Sequence, residues 1–137
     1  MEDGKTVKPA RVPIQETWQE MEKLVDEGIV KSIGVSNFQA QLLYDVNTYA
    51  KYPISALQIE HHPYLVQPNL IKMAQTNKIA VTAYSSFGPQ SFLELPPDFR
   101  QRAADTALLF DAEPVKSLST KYNKTPAQIL LRWATQR

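Results

Sequence analysis

The chain has 137 residues, 43% hydrophobic and 21% charged, which fits one ordinary globular domain or a piece of a larger one. Its 15 basic and 14 acidic residues leave a net charge of +1, so no excess charge points to nucleic acid or an anionic membrane. It has no cysteine, which excludes disulfides, thiolate nucleophiles and Cys-based metal sites, and no apolar run approaches the ~18 residues of a membrane-spanning helix.

Residues 1–13 carry Gly4, Pro9 and Pro13 without periodicity and read as a flexible N-terminal segment. The segment is polar and contains acids, unlike an export signal, and the protein is read as cytoplasmic. From 15 to 27, Trp18, Met21, Leu24 and Val25 fall on one helical face, and Gly28 supplies the stop. Residues 33–35 form a short strand that exits through Ser36-Asn37-Phe38. A second helix over 40–51 groups Leu43, Val46, Tyr49 and Ala50, and Tyr52-Pro53 ends it.

Residues 56–60 form the second strand, bounded by Pro63. Pro68 opens a third helix bearing Leu70, Ile71 and Ala74, and the third strand follows over 79–84. A long irregular stretch over 85–112, with a weak helical segment near 99–108, is of a length usually tied to function. A helix near 114–122 presents Val115 and Leu118. The last helix opens at Thr125-Pro126-Ala127-Gln128, where Thr125 can cap, Pro126 suits the first helical position and Gln128 can reach back. Ile129, Leu130 and Trp133 form its buried face. The sequon Asn123-Lys124-Thr125 is read as this capping turn.

The strand centres Ile33, Leu57 and Val81 are spaced 24 residues apart, with a helix in each gap. This βα repeat predicts parallel strands joined by right-handed crossovers. The strands show little alternation, so both of their faces are expected to be buried. A (β/α)8 barrel takes about 250 residues, so the α/β fold expected here is a partial barrel over 14–137, incomplete at both ends. Chemistry in such folds sits at the C-terminal ends of the strands, which directs attention to Ser36, Asn37, Gln58, Glu60, Tyr84 and Ser85.

Glu60-His61-His62 has the residue types of a metal site. Adjacent strand positions point to opposite faces, however, and no further His or Cys completes a ligand shell, so no metal is expected. One histidine is expected under a loop and the other at the strand mouth. No G-x-S-x-G elbow supports a serine nucleophile at Ser36, Ser85 or Ser86. Tyr84 could serve as an acid only beside a cation or base, and the sequence shows no partner for it. As a flat ring at a strand end it serves better as a stacking surface. The segment from Tyr84 through Ser91 is rich in small residues and donors. It reads equally as a weak phosphate-binding loop or as a plain flexible one.

Taken together, GVSNF, QIEHHPYL and TAYSSFGPQSF, in this order and spacing, resemble the aldo-keto reductases, and most of all the fungal xylose reductases among them. The likeness runs over about 12–137, and KYNKTPAQILLRWATQR is similar to the family's penultimate barrel helix. It implies strands 5–7 of a barrel that holds NADPH or NADH in extended form. By this resemblance Ser36, Asn37 and Gln58 would bind the nicotinamide carboxamide, and Tyr84 would stack on the nicotinamide. Ser85, Ser86, Phe87, Gly88, Gln90 and Ser91 would embrace the pyrophosphate. Ser86 stands where the family commonly has proline.

The family's catalytic Tyr, Lys, Asp and His lie on its first four strands, so no catalytic residue is carried over to this chain. The expected function is a portion of an NAD(P)H-dependent reductase of aldehydes or aldoses, such as xylose, carrying part of the cofactor site and inactive by itself. Its partners would be the nicotinamide cofactor and an aldose, with no nucleic acid and no membrane. The alternative is a non-catalytic half-barrel that associates edge to edge through its unpaired strands.

Overall fold

The computed structural model describes residues 10–88 and 107–137. Three strands, β1 (Gly34–Ser36), β2 (Ala56–Glu60) and β3 (Ala80–Tyr84), form one parallel sheet in the order β1-β2-β3. Helices α1 (Ile14–Asp26), α2 (Ala40–Tyr49) and α3 (Pro68–Thr76) accompany the strands, and α4 (Glu113–Tyr122) and α5 (Pro126–Thr135) follow. Residues 10–13 carry no helix or strand, and α1 opens directly after Pro13. The weak helix expected near 99–108 falls almost wholly outside the described residues. No described helix is long and apolar enough to cross a membrane.

Local chemistry explains the element ends. Gly28 takes φ +72° after α1, and its N–H and that of Ile29 donate back to the carbonyls of Val25 and Leu24, which closes the last turn. Pro68 and Pro126 occupy opening helical positions, where a missing N–H costs nothing. At α5 both arms of the expected capping box form: Gln128 N donates to Thr125 Oγ1 at 3.2 Å, and Thr125 N donates to Gln128 Oε1 at 2.9 Å.

The register pairs Leu57 with Val81, as the 24-residue repeat predicts. On β1, however, the partner of Leu57 is Val35, not Ile33, so the first interval is two residues shorter. A shift of two leaves every side chain on its original face, which is why the strand pattern alone does not expose it.

The expectation that both sheet faces are buried does not hold among the described residues. Leu57 and Ile59 are buried against the helices, whereas Gln58, Ala80, Thr82 and Tyr84 are exposed. Right-handed crossovers place α2 and α3 on one side, α1 packs into the same core, and among the described residues only that side gains a cover. The main core lies there. Leu43, Val46, Leu57 and Ala74 are fully buried in it, joined by Trp18, Ile54 and Ile59. Each large aliphatic side chain so buried contributes about 1.5–3 kcal/mol. At Gly34 an added Cβ would stand 2.5 Å from the Ala56 carbonyl oxygen, so the close approach of β1 to β2 requires glycine there.

A smaller core joins Leu109, Val115 and Leu130, with Phe87, Phe110 and Ile129 against it. The two cores meet through a few specific ties. Gln75 Nε2 donates to the Arg137 carbonyl at 3.2 Å, and the His61 ring stacks on Trp133 with centroids 4.8 Å apart.

Candidate functional site

The carboxyl ends of the three strands bring the expected residues into one place. Ser36, Gln58 and Thr82 are register partners across the sheet, so they form a polar row on its exposed face. One step further along, Glu60 pairs with Tyr84. Thr82 was not singled out from the sequence, although it stands one 24-residue repeat after Gln58. The row offers hydroxyl and amide groups at spacings of ~4.8 Å, the distance between neighbouring strands.

The chain leaves β1 and β3 through left-handed residues, Asn37 at φ +58° and Ser85 at φ +50°. The first turn is fixed by the Gln58 carbonyl, which accepts from Asn37 N at 2.8 Å and from Ser36 Oγ at 3.2 Å. The Asn37 side chain is thereby held over the sheet end. There the Tyr84 hydroxyl donates to Asn37 Oδ1 at 2.8 Å. The sequence does not reveal this contact, since the two are 47 positions apart, and the amide is neither the cation nor the base that acid chemistry at Tyr84 would need. The bond orients the amide of Asn37 and holds the Tyr84 ring on the open face.

After Ser85 the chain turns tightly, with Gly88 N donating to the Ser85 carbonyl at 2.8 Å. Gly88 sits at φ +64°, and an added Cβ would meet Leu109 Cδ1 at 2.6 Å, so this turn is pressed against the smaller core. The Phe87 ring packs on Phe110 at 5.2 Å, so at this residue it is the backbone that remains to meet a ligand. Ser86 lies beside it in the same turn. Gln90 and Ser91 lie outside the described residues.

The two histidines diverge, and both are buried, rather than one lying at the strand mouth. His62 Nε2 stands 2.9 Å from Glu60 Oε1, beneath the turn at Gly88. His61 faces the helices and stacks on Trp133. No three potential metal-ligating side chains converge among the described residues.

Among the described residues neither ring nitrogen of His61 has a hydrogen-bond partner. Burial lowers its pKa below the ordinary histidine value, and the nearby positive Arg137 lowers it further. The carbonyl side of Leu65 and Val66 softens this effect without forming a hydrogen bond of normal geometry. The folded state thus favours the neutral ring, and the unfolded chain binds more protons below about pH 6.5. Stability contributed by the neutral ring is present above that pH and is lost as pH falls toward the folded value. Urea unfolding at pH 7.5 and 5.5 is expected to show a lower midpoint at the acid pH, with the difference reduced in His61→Phe.

A groove of about 870 Å³ opens between α4 and α5, lined by Val115, Leu118, Tyr122, Ile129 and Trp133. None of the strand-end residues Ser36, Asn37, Gln58, Tyr84 or Ser85 borders it, so it is separate from the polar row. The row and its rim present hydroxyl and amide groups, an aromatic ring and the backbone of a tight turn on one side of the sheet, groups suited to hydrogen-bonding and stacking a flat polar ligand.

The chain matches the Aldo/keto reductase family over residues 6–137. It is 59% identical over 136 residues to the probable NAD(P)H-dependent D-xylose reductase xyl1 of Aspergillus flavus, covering 99% of this chain and 41% of that protein. It is 52% identical over 135 residues to the NADH-dependent D-xylose reductase of Candida parapsilosis, covering 98% and 41%. The solved aldose reductase of Schistosoma japonicum superimposes with a TM-score of 0.76 at 36% identity, covering 93% of this chain and 36% of that one. The chain therefore spans about two-fifths of the length of the curated relatives, and its sheet is part of a barrel.

Proposed function

The chain belongs to the aldo/keto reductase family, and we propose that its strand ends carry part of the nicotinamide dinucleotide site of a reductase acting on aldehydes or aldoses such as xylose. The observation that carries this reading is the Tyr84–Asn37 bond above the Ser36–Gln58 pair, a flat ring and a directed amide at one sheet end. Relatives named as NAD(P)H-dependent and as NADH-dependent xylose reductases support either nucleotide as the ligand. In this reading Ser36, Asn37 and Gln58 hold the carboxamide, and Tyr84 stacks on the ring. Ser85 and the following turn through Ser86, Phe87 and Gly88, with Gln90 and Ser91, meet the pyrophosphate. The bound nucleotide supplies hydride for reduction of a carbonyl carbon.

The residues of this chain orient and stack; none is assigned proton transfer to the carbonyl oxygen. The 137 residues alone are accordingly expected to bind the nucleotide weakly and to reduce no xylose. The exposed sheet face and the outer edges of β1 and β3, which pair with no described strand, favour edge-to-edge association as the second reading. A discrete dimer on size exclusion would support it.

An NMR titration of the chain with NADPH and with NADH tests the first reading. Shifts are expected at Ser36, Asn37, Gln58 and Tyr84. Tyr84→Ala should weaken binding roughly three- to tenfold through loss of the stacking face. Tyr84→Phe, which retains that face, should weaken it less. Shifts confined to the α4–α5 groove, or none at all, would remove the reading.

A further inference from the structure

Glu60 has no role in the site described above, yet it stands beside it. It is the register partner of Tyr84 on the central strand, so both side chains leave the same open face about one strand spacing apart. Its carboxylate is held on one side by His62, whose Nε2 lies 2.9 Å from Oε1 and whose ring is buried under the turn at Gly88. Its main chain is held as well, with Gln67 Nε2 donating to the Glu60 carbonyl at 2.6 Å. The other strand residues of that face are Gly34, Ser36, Ala56, Gln58, Ala80, Thr82 and Tyr84, none of them a carboxylate. A carboxylate anchored by His62 thus leaves the sheet one strand away from the aromatic platform.

We infer that Glu60 sets the preference of this site between the two redox forms of the nicotinamide ring, favouring the oxidised, positively charged form. This rests on the reading that the ring stacks on Tyr84. The oxidised and reduced nucleotides differ at the ring by one positive charge and share their phosphates, riboses and carboxamide. Carboxamide hydrogen bonds and stacking act on both forms, whereas a carboxylate several ångströms from the ring attracts only the cation. At an effective dielectric between that of a protein surface and that of water, such a charge is worth roughly a three- to tenfold difference in affinity. His62 anchors the carboxylate so that it does not swing into solvent.

The test is a pair of NMR titrations, with NAD+ and with NADH, of the unaltered chain and of Glu60→Gln. Glutamine keeps the size of the side chain and an oxygen to face His62. Glu60→Gln is expected to weaken NAD+ binding roughly three- to tenfold and to leave NADH binding nearly unchanged. Parallel changes for both nucleotides, or no change in either, overturn the inference and leave the proposed site standing. Absence of binding by the unaltered chain overturns both. A second measurement needs no variant. The ratio of NAD+ to NADH affinity in the unaltered chain should fall as salt rises from low to physiological strength, because the attraction is screened. A ratio that falls supports the inference, and a constant ratio overturns it.

Discussion

Leu57→Ala is expected to lower the unfolding free energy by about 2–5 kcal/mol, read as a reduced urea midpoint with little change in slope. Leu57 is wholly buried on the central strand, between Val35 and Val81 in register and under the helices. Removing three carbons there costs their transfer free energy and leaves a void that the two neighbouring strands cannot both collapse to fill. Leu131, which is 48% exposed on α5, provides the contrast. Leu131→Ala should change stability by less than about 0.5 kcal/mol. Equal losses at the two positions would mean that the helix-covered face is not the main source of stability.

Glu22→Ala is expected to cost about 2–4 kcal/mol, although Glu22 is a charged residue in an amphipathic helix. The residue is 7% exposed, and its Oε1 accepts from the backbone N–H of Lys51 at 2.6 Å and of Tyr52 at 3.1 Å. Those two amides follow α2, where the extended Ala50 turns the chain toward Pro53 and carries them out of reach of the last helical carbonyls. Alanine would leave both donors without a partner in a half-buried position. Glu22→Gln keeps an oxygen but loses the charge, so it should fall between the unaltered chain and Glu22→Ala. A loss in Glu22→Ala no larger than at exposed Glu20 would show that water satisfies the two amides instead. The nearby surface contacts of Asp26 with Lys51 and Tyr52, each 2.6 Å, reinforce the α1–α2 junction, but they face solvent and carry less.

Much of the fold follows from patterns that act over a few residues. The spacing of Leu43, Val46, Tyr49 and Ala50 foretells the buried face of α2, and all four lie in or against the main core. Thr125-Pro126-Ala127-Gln128 foretells the start of α5, because capping needs only those four side chains and their own backbone. The recurrence of strand motifs foretells the parallel order and the Leu57–Val81 register. The strand-end positions Ser36, Asn37, Gln58 and Tyr84 are likewise legible, since parallel βα units bring their carboxyl ends to one side.

The α1 face is legible only in part. Trp18 is buried and Met21 and Val25 pack on the core, but Leu24 is 39% exposed while Glu22 takes a buried place. Helical periodicity ranks residues by polarity, and a carboxylate that meets two distant backbone amides escapes that ranking. The same holds for the histidines. Their burial depends on Trp133, Glu60 and the turn at Gly88, contributed by separate segments of the chain.

The sequence by itself determined the element types, the parallel βα order, the strand ends that gather polar residues and the likeness to the aldo-keto reductases. Each of these rests on local periodicity, local turn chemistry or short motifs, whose energetics involve residues close along the chain. Only the tertiary structure decided that, among the described residues, one sheet face is covered and the other open, that β1 pairs through Val35, that Tyr84 orients Asn37 and that Glu60 is pinned by His62 beside it. Those outcomes depend on where crossovers lay the helices and on which side chains packing brings within hydrogen-bond reach. Contacts between residues tens of positions apart leave no periodic trace in the chain.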